Sequence, residues 1–135
     1  ASPIGITVPG NIAAGTYNGT INVRNTVTNI AGTAQNFTVS VGTTPSITLG
    51  VNPSVSVGAT STAFNFTSPG GSPNQFTLDF NAAANTAGFN DQTNATLVGS
   101  SIPVSIPAGA TAGNYIATLT VTNTTTGCSS TVYNV

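Results

Sequence analysis

The sequence predicts an all-β protein folded as a Greek-key β-sandwich, and three observations carry this prediction. Apolar and polar residues alternate with a period of two through several segments, which is typical of half-buried strands. Gly, Pro and Asn separate these segments at intervals of roughly eight to twelve residues, as in sandwiches of short strands. Thr, whose branched side chain suits a pleated strand, is the commonest residue, with 25 copies among 135 positions.

One segment near the start of the chain recurs near its end. AGTYNGTINVRN occupies Ala14–Asn25 and AGNYIATLTVTN occupies Ala112–Asn123, an offset of 98 positions. Both copies alternate between apolar and polar residues, so each is predicted to be a long half-buried strand. The match continues downstream after a shortening of two residues, which aligns Phe37 with Tyr133. These correspondences predict a tandem repeat.

Each copy is predicted to contribute three strands. A short alternating run that ends in Pro precedes the long strand, at Ile4–Pro9 and at Ile102–Pro107. Pro suits the end of a strand because it has no N–H to donate to a ladder. A further strand follows each long one, at Ala34–Val41 and at Ser130–Val135.

Five more strands are expected between the two copies. They are Ser46–Leu49, Val55–Val57, Ala63–Thr67, Gln75–Phe80 and Ala95–Val98.

The segments between these strands are predicted from their turn-forming residues. Ser68–Pro73 is rich in Gly and Pro and therefore reads as a loop. Asn81–Asp91 has room for one helical turn, but Gly88 and the Asn residues favour a loop there as well.

The order of these elements predicts how the chain divides into domains. Residues 46–135 form one complete immunoglobulin-like sandwich module, residues 42–45 form a short linker, and residues 1–41 are the C-terminal strands of a preceding module. Part of a sandwich exposes an apolar face, so residues 1–41 should not be stable alone. Their remaining strands either precede residue 1 in a longer chain or come from another molecule. A third alternative is that residues 1–41 dock against the chain's own downstream module.

Charge is almost absent, which excludes several classes of function. Only 2% of the residues are charged, and the net charge is −1. The single Arg24 cannot make the basic surface that nucleic-acid binding needs. No apolar run approaches the roughly 18 residues of a membrane span, so membrane insertion is not expected. The remaining polar surface of hydroxyl and amide groups is typical of secreted structural proteins, and we expect an extracellular or cell-surface location.

The titratable residues do not form a catalytic set. The chain has no His, Lys or Glu, so neither an acid–base pair nor a nucleophile triad can be assembled, and we expect no enzymatic activity and no cofactor. Asp79 is predicted to be a solvated strand residue. Two Asp residues far apart disfavour a calcium site, and the lone Cys128 has no partner in the chain for a disulfide or a metal site.

Phe89 and Asp91 are the candidate ligand-binding residues. Phe89 is the one aromatic residue that falls in a predicted loop, where it either plugs the end of the sandwich or contacts a ligand. Asp91 is interpreted as a turn residue that bonds to the local backbone. Were these loops to bind a ligand, surface polysaccharide is the class that we expect.

The sequence also resembles a known family. FTLDFNAAANTAGFNDQTNATL at Phe76–Leu97 and VSIPAGATAGNYIATLTVTNTTTGCSSTVYNV at Val104–Val135 are similar to the tandem immunoglobulin-like repeats of very large surface proteins from Bacteroidota. These include the gliding-motility adhesins exported by the type 9 secretion system. Such repeats often carry a second Cys near the position of Val55 and Val57. The resemblance implies an extracellular location and a fibrous, adhesive or spacer function.

These observations predict a structural repeat of a surface filament or adhesin. Its partners would be neighbouring repeats of the same chain or identical subunits. Two alternatives stay open: a module that binds glycans or surfaces, and a pilus-type subunit whose incomplete 1–41 sandwich is completed by strands from a neighbour.

Overall fold

The computed structural model describes residues 3–135, which divide into two compact units, one that ends at Thr43 and one that spans Thr44–Val135. We call them unit 1 and unit 2. The division lies within the segment 42–45 that was expected to be a linker. The predicted all-β architecture is confirmed, because antiparallel strands make up most of the regular structure of the described residues. No helix in residues 3–135 has the length and the apolar character needed to cross a membrane.

Unit 1 is built around one antiparallel hairpin. Strand β1 (Gly15–Ile21) pairs with strand β2 (Gln35–Val41) over seven residue pairs, from Gly15 opposite Val41 to Ile21 opposite Gln35. The Phe37 ring lies over Gly19, its partner across the ladder, so closely that a Cβ atom at Gly19 would overlap it. An aromatic ring that covers a strand glycine in this way supplies packing that the glycine lacks.

The strand expected at Ile4–Pro9 is absent from the structure as described. Residues 3–14 form no strand, and Ile4, Ile6 and Val8 are 69%, 56% and 44% exposed. A strand needs a neighbour to which its backbone can bond, and the two strands of unit 1 pair with each other. Alternation of apolar residues was therefore insufficient to form a strand here.

Unit 2 contains two open antiparallel sheets. The first has the order β3-β4-β7, with β3 at Ser46–Leu49, β4 at Ser61–Gly70 and β7 at Ser101–Ser105. The second has the order β10-β8-β5-β6, and β9 also pairs with β8. Its strands are β5 (Gln75–Phe80), β6 (Gln92–Thr96), β8 (Ala117–Asn123), β9 (Cys128–Ser129) and β10 (Tyr133–Asn134).

The inward faces of both sheets contribute to one core. On β8 the burial alternates along the whole strand, and Leu119 and Val121 are fully buried. On β5, Phe76, Leu78 and Phe80 face inward while Asp79 is exposed, as the period-two pattern predicted. The first sheet covers these residues with Ile47, Phe64, Phe66, Ile102 and Val104.

Several predicted strand limits differ from the structure. Ser46–Leu49 and Gln75–Phe80 were predicted with their observed limits. The strand expected at Val55–Val57 is wrong, because residues 51–60 form no strand. Among the remaining predicted strands of unit 2, β4 is longer than expected and the others have shifted or shortened limits.

The preference for a loop throughout Asn81–Asp91 is also wrong. A short helix, α1, spans Ala82–Thr86 between β5 and β6. Asn81 caps it, since its Oδ1 accepts a hydrogen bond of 2.9 Å from the N–H of Ala84. Gly88 follows the helix with φ of +98°, a conformation that glycine adopts without strain.

Unit 1 and the last part of unit 2 share several hydrogen bonds at an offset of 98 residues. The N–H of Gly32 donates to the carbonyl of Val23, and that of Ser130 donates to Val121. The side chain of Asn25 accepts hydrogen bonds from the backbone N–H groups two and three residues later. The side chain of Asn123 accepts the same two bonds. The residues that turn the chain with positive φ, Asn29 and Gly127, are also 98 apart.

The pairing of the strands shows that the alignment of the two copies needs no gap of two residues. Ala117 and Val135 exchange backbone hydrogen bonds, and 98 positions earlier Gly19 is paired with Phe37. Phe37 therefore corresponds to Val135, not to Tyr133. The sequence alignment had matched aromatic with aromatic, whereas the backbone pairing keeps a constant offset.

We predict that Leu119→Ala lowers the free energy of unfolding of unit 2 by about 3 kcal/mol, because it leaves a cavity at a fully buried position. Thr120→Ala, at the next position of the same strand, should change it by about 0.5 kcal/mol or less. Urea unfolding of the full chain, followed by circular dichroism, measures both. Equal effects would contradict the assignment of the inward face.

Candidate functional site

Phe89 lies in the core at one end of unit 2. Its side chain is 7% exposed, and its ring centroid is 5.0 Å from that of Phe80 and 4.4 Å from that of Tyr115. The turn after α1 fixes this position, since the N–H of Phe89 donates to the carbonyl of Ala84. In this position the ring closes the end of the sandwich and contributes little exposed surface.

Asp91 is placed to hold the backbone rather than to bind a ligand. Its Oδ1 accepts a hydrogen bond of 2.8 Å from the N–H of Phe80, at the end of β5. The carboxylate thus ties the segment that follows α1 to the strand that precedes it. Phe89 and Asp91 therefore belong to the same end of unit 2, although one is buried and the other exposed.

The other polar candidates do not gather into a reactive site. Asp79 is exposed on β5, and Cys128 is a free, half-buried thiol at the start of β9. Within residues 3–135, no three His, Cys, Asp or Glu side chains come together as metal ligands would.

Each of the two tyrosines that the repeat alignment matched makes a hydrogen bond to the backbone, and the sequence did not predict this bond. The hydroxyl of Tyr115 donates to the carbonyl of Thr111, and that of Tyr17 donates to the carbonyl of Ala13, both at 2.8 Å. Each bond spans four residues and fastens the loop to the start of the long strand that follows. The recurrence of Tyr at the same place in both copies was the available signal, but the bond itself depends on the loop geometry.

A groove in unit 2 lies next to Phe89. It encloses about 680 Å³ and lies between the segments 52–58 and 110–116, with Val135 at its edge. We call it the end groove. Its floor is formed by apolar side chains of the core, among them Phe64, Phe80, Phe89 and Val104.

One wall of the end groove is an unpaired backbone edge. Gly113–Ile116 lead into β8, and the carbonyl of Ile116 accepts from Asn81 on the side of β5. On the side of β10 the pairing reaches Ala117, which bonds to Val135. Among the residues described, no strand pairs with Gly113–Ile116 on that side. The groove thus has an apolar floor and a wall of main chain.

Comparison with protein-family models, curated proteins and solved structures returns no match for this chain.

We predict that Tyr115→Phe lowers the free energy of unfolding of unit 2 by about 1 kcal/mol, because it deletes the bond to Thr111 and keeps the ring beside Phe89. Tyr17→Phe is the matched control in unit 1, and should leave the unfolding of unit 2 unchanged. Urea denaturation of both variants provides the measurement. A Tyr115→Phe variant as stable as the parent would show that the hydroxyl does not brace the loop.

Proposed function

We propose that the chain is a non-catalytic structural repeat of an extracellular surface filament or adhesin. In this proposal unit 2 is one immunoglobulin-like Greek-key module, and unit 1 is the C-terminal part of a preceding module of the same kind. Modules of this type build a stalk or fibre, in which the core holds each module closed and short linkers limit bending between modules.

The strand order of unit 2 supports the immunoglobulin-like assignment. One sheet contains the first, second and fifth of its strands, β3, β4 and β7, while the third and fourth pair in the other sheet with the later strands. Successive strands therefore cross between the sheets, as they do in Greek-key sandwiches. The hydroxyl of Tyr115, which bonds to the backbone a few residues upstream, matches the tyrosine corner found near the start of the sixth strand of such folds.

The main support for a repeat is the set of hydrogen bonds that the two units share at an offset of 98 residues. It includes the tyrosine bond, the Asn-capped turn and the bond that closes the hairpin. A further pair belongs to it, since Ile12 donates to the carbonyl of Pro9 as Ala110 does to that of Pro107. Two unrelated segments would have no reason to share backbone bonds at one constant spacing.

The exposed apolar residues of unit 1 fit its interpretation as a part of a module. Ile102 and Val104 of unit 2 are 0% and 4% exposed, whereas their counterparts Ile4 and Ile6 are 69% and 56% exposed. Large apolar side chains exposed together mark a surface that another element covers. Neighbouring repeats of the same chain, or identical subunits, are the partners that this proposal expects.

The surface chemistry is the argument for an extracellular fibre. Polar positions of the strands carry Thr, Ser and Asn, and the side-chain bonds between neighbours are mostly neutral, such as that of Thr122 with Ser129. This composition and the resemblance to surface repeats of Bacteroidota favour a cell-surface location and a role in adhesion or gliding.

The two other functions are less well supported. A glycan site at Phe89 and Asp91 would need an open ring and free carboxylate oxygens, while Phe89 is buried and Asp91 bonds to the backbone. A pilus-type subunit completed by a neighbour's strands would also explain the exposed residues of unit 1, and it differs from a tandem repeat only in the source of those strands.

A chimera tests the repeat directly. We predict that residues 44–100 joined to residues 3–41 fold into one cooperative module, because Ile4 and Ile6 would take the buried places of Ile102 and Val104. The same chimera with Ile4→Asp and Ile6→Asp is the matched control and should fail to fold. Calorimetry and circular dichroism distinguish the outcomes. An unfolded chimera beside a folded 44–135 fragment would contradict the equivalence of the two units.

Surface labelling tests the location and the assembly. We predict that antibodies against unit 2 label intact, unpermeabilised cells of the source organism along extended filaments, because the fibre lies outside the cell. An antibody against a cytoplasmic protein controls for cell integrity. Labelling that requires permeabilisation would count against the proposal.

A further inference from the structure

One side of the unit 2 sandwich is bounded by two edge strands, β6 and β7. Among the described residues, β6 pairs with β5 alone and β7 pairs with β4 alone. An edge strand directs every second N–H and C=O outward, where a strand of another molecule can bond to them. Many proteins prevent this with charged side chains, but this chain has one basic and two acidic residues in all. Its uncharged edges therefore need another form of protection.

The ladder between β4 and β7 fixes which backbone groups of β7 face outward. The N–H of Ile106 donates to the carbonyl of Thr60, directly beyond the last pair of the ladder. Hydrogen-bonded pairs recur every second residue in an antiparallel ladder, so alternate residues of β7 bond to β4. The residues between them turn their backbone groups outward, and these are Ser101, Pro103 and Ser105.

Pro103, at the centre of this edge, is closed to pairing. Proline has no N–H to donate. Its carbonyl already accepts a hydrogen bond of 2.8 Å from Nε2 of Gln92, which lies on β6. The Gln92 side chain thus crosses from the edge of one sheet to the outward backbone of the other. The centre of the β7 edge therefore has no donor, and its acceptor is bonded.

The edge of β6 is interrupted by a bulge. Thr93 and Asn94 lie opposite the single residue Thr77 of β5, where the register between the two strands shifts. Asn94 has φ of +53°, and its N–H donates to the hydroxyl of Thr77 at 3.1 Å. A bulge bends its strand and increases the local twist, so β6 presents a bent edge to any neighbour.

The opposite side of unit 2 has a bond of the same kind. Ile47 lies at the irregularity in the pairing of β3 with β4, and its N–H donates to the hydroxyl of Tyr133 on β10 at 3.0 Å. Here too, a side chain of the second sheet bonds to a backbone group of an edge strand in the first sheet. The two sides of the sandwich thus share one means of occupying edge groups, which is a neutral hydrogen bond.

We propose that Gln92 and Pro103 block strand addition by a second copy of the chain at the β6–β7 side of unit 2. The cleft between the two edges encloses about 400 Å³ and is lined in part by Phe76, Ala95 and Val98. A strand added there would bury apolar surface, and the blocked centre of β7 denies it the ladder that would hold it in register. The inference uses the edges as observed and does not depend on the chain being a surface repeat.

The test restores the missing bonding groups in the full chain. Gln92→Ala together with Pro103→Thr gives β7 an outward N–H at position 103 and frees its carbonyl. Two copies should then pair antiparallel across this position. We expect amide hydrogen exchange at Ser101 and Ser105, measured by NMR, to slow about fivefold or more between about 20 μM and about 1 mM protein. In the parent the same exchange should vary with concentration by less than about twofold.

The matched control adds Ser101→Lys and Ser105→Lys to the double substitution. Position 101 of one copy would face position 105 of the other, so like charges would oppose the pairing. Exchange at these positions should then be independent of concentration, and a protected Leu119 amide verifies that each variant is folded.

Three results would overturn the proposal. Exchange that slows with concentration in the parent would show, without any substitution, that the edge accepts a strand as it stands. Concentration-independent exchange in the folded double variant would show that Gln92 and Pro103 block nothing. Equal slowing in the double variant and in the lysine control would place the association outside this edge.

Discussion

The structure depends on one constraint: an apolar strand face is kept only where a second layer covers it and a neighbouring strand bonds its backbone. Ile102 and Val104 satisfy both conditions, since β7 pairs with β4 and their side chains enter the core of unit 2. Ile4 and Ile6 have a similar local sequence and satisfy neither, so they remain exposed and outside any strand. The same residue pattern thus forms a buried strand in unit 2 and an exposed segment outside any strand in unit 1, according to what lies beside it.

This constraint explains which elements of the fold could be predicted from the sequence alone. The limits of β3 and β5 and the inward face of β8 were predictable, because each has a strict apolar alternation and the fold supplies each with a paired neighbour. Val55–Val57 has the alternation without a paired neighbour, and local pattern cannot reveal whether a neighbour exists. For α1, Gly88 and the Asn residues favour a loop in the sequence, whereas the structure forms a helix over a run of Ala, which has high helix propensity, with Asn81 as its cap. Among the candidate site residues, Phe89 was recognised as an end plug or a ligand contact, and only the fold could show that its ring packs between Phe80 and Tyr115.

The turns vary in sequence more than they vary in geometry. Asn29 and Gly127 both have positive φ, at 58° and 70°, and these are the two residue types that adopt this conformation most readily. Asn25 and Asn123 both accept bonds from the amides of the turn, and Asn123 also donates to the carbonyl of Gly71, so both the oxygen and the nitrogen of this buried side chain are bonded. A constant backbone thus constrains only a few positions tightly, while the residues between them are free to differ.

The scarcity of charge has a consequence for the conditions under which the molecule keeps its shape. Interactions between ions weaken as dissolved salt screens them, whereas bonds among hydroxyl groups, amides and backbone are nearly indifferent to it. In unit 2 the bonds that join separate segments are almost all of the second kind, such as the two between Asn74 and Thr124. The stability of a protein held together in this way would be nearly the same in fresh water and in sea water.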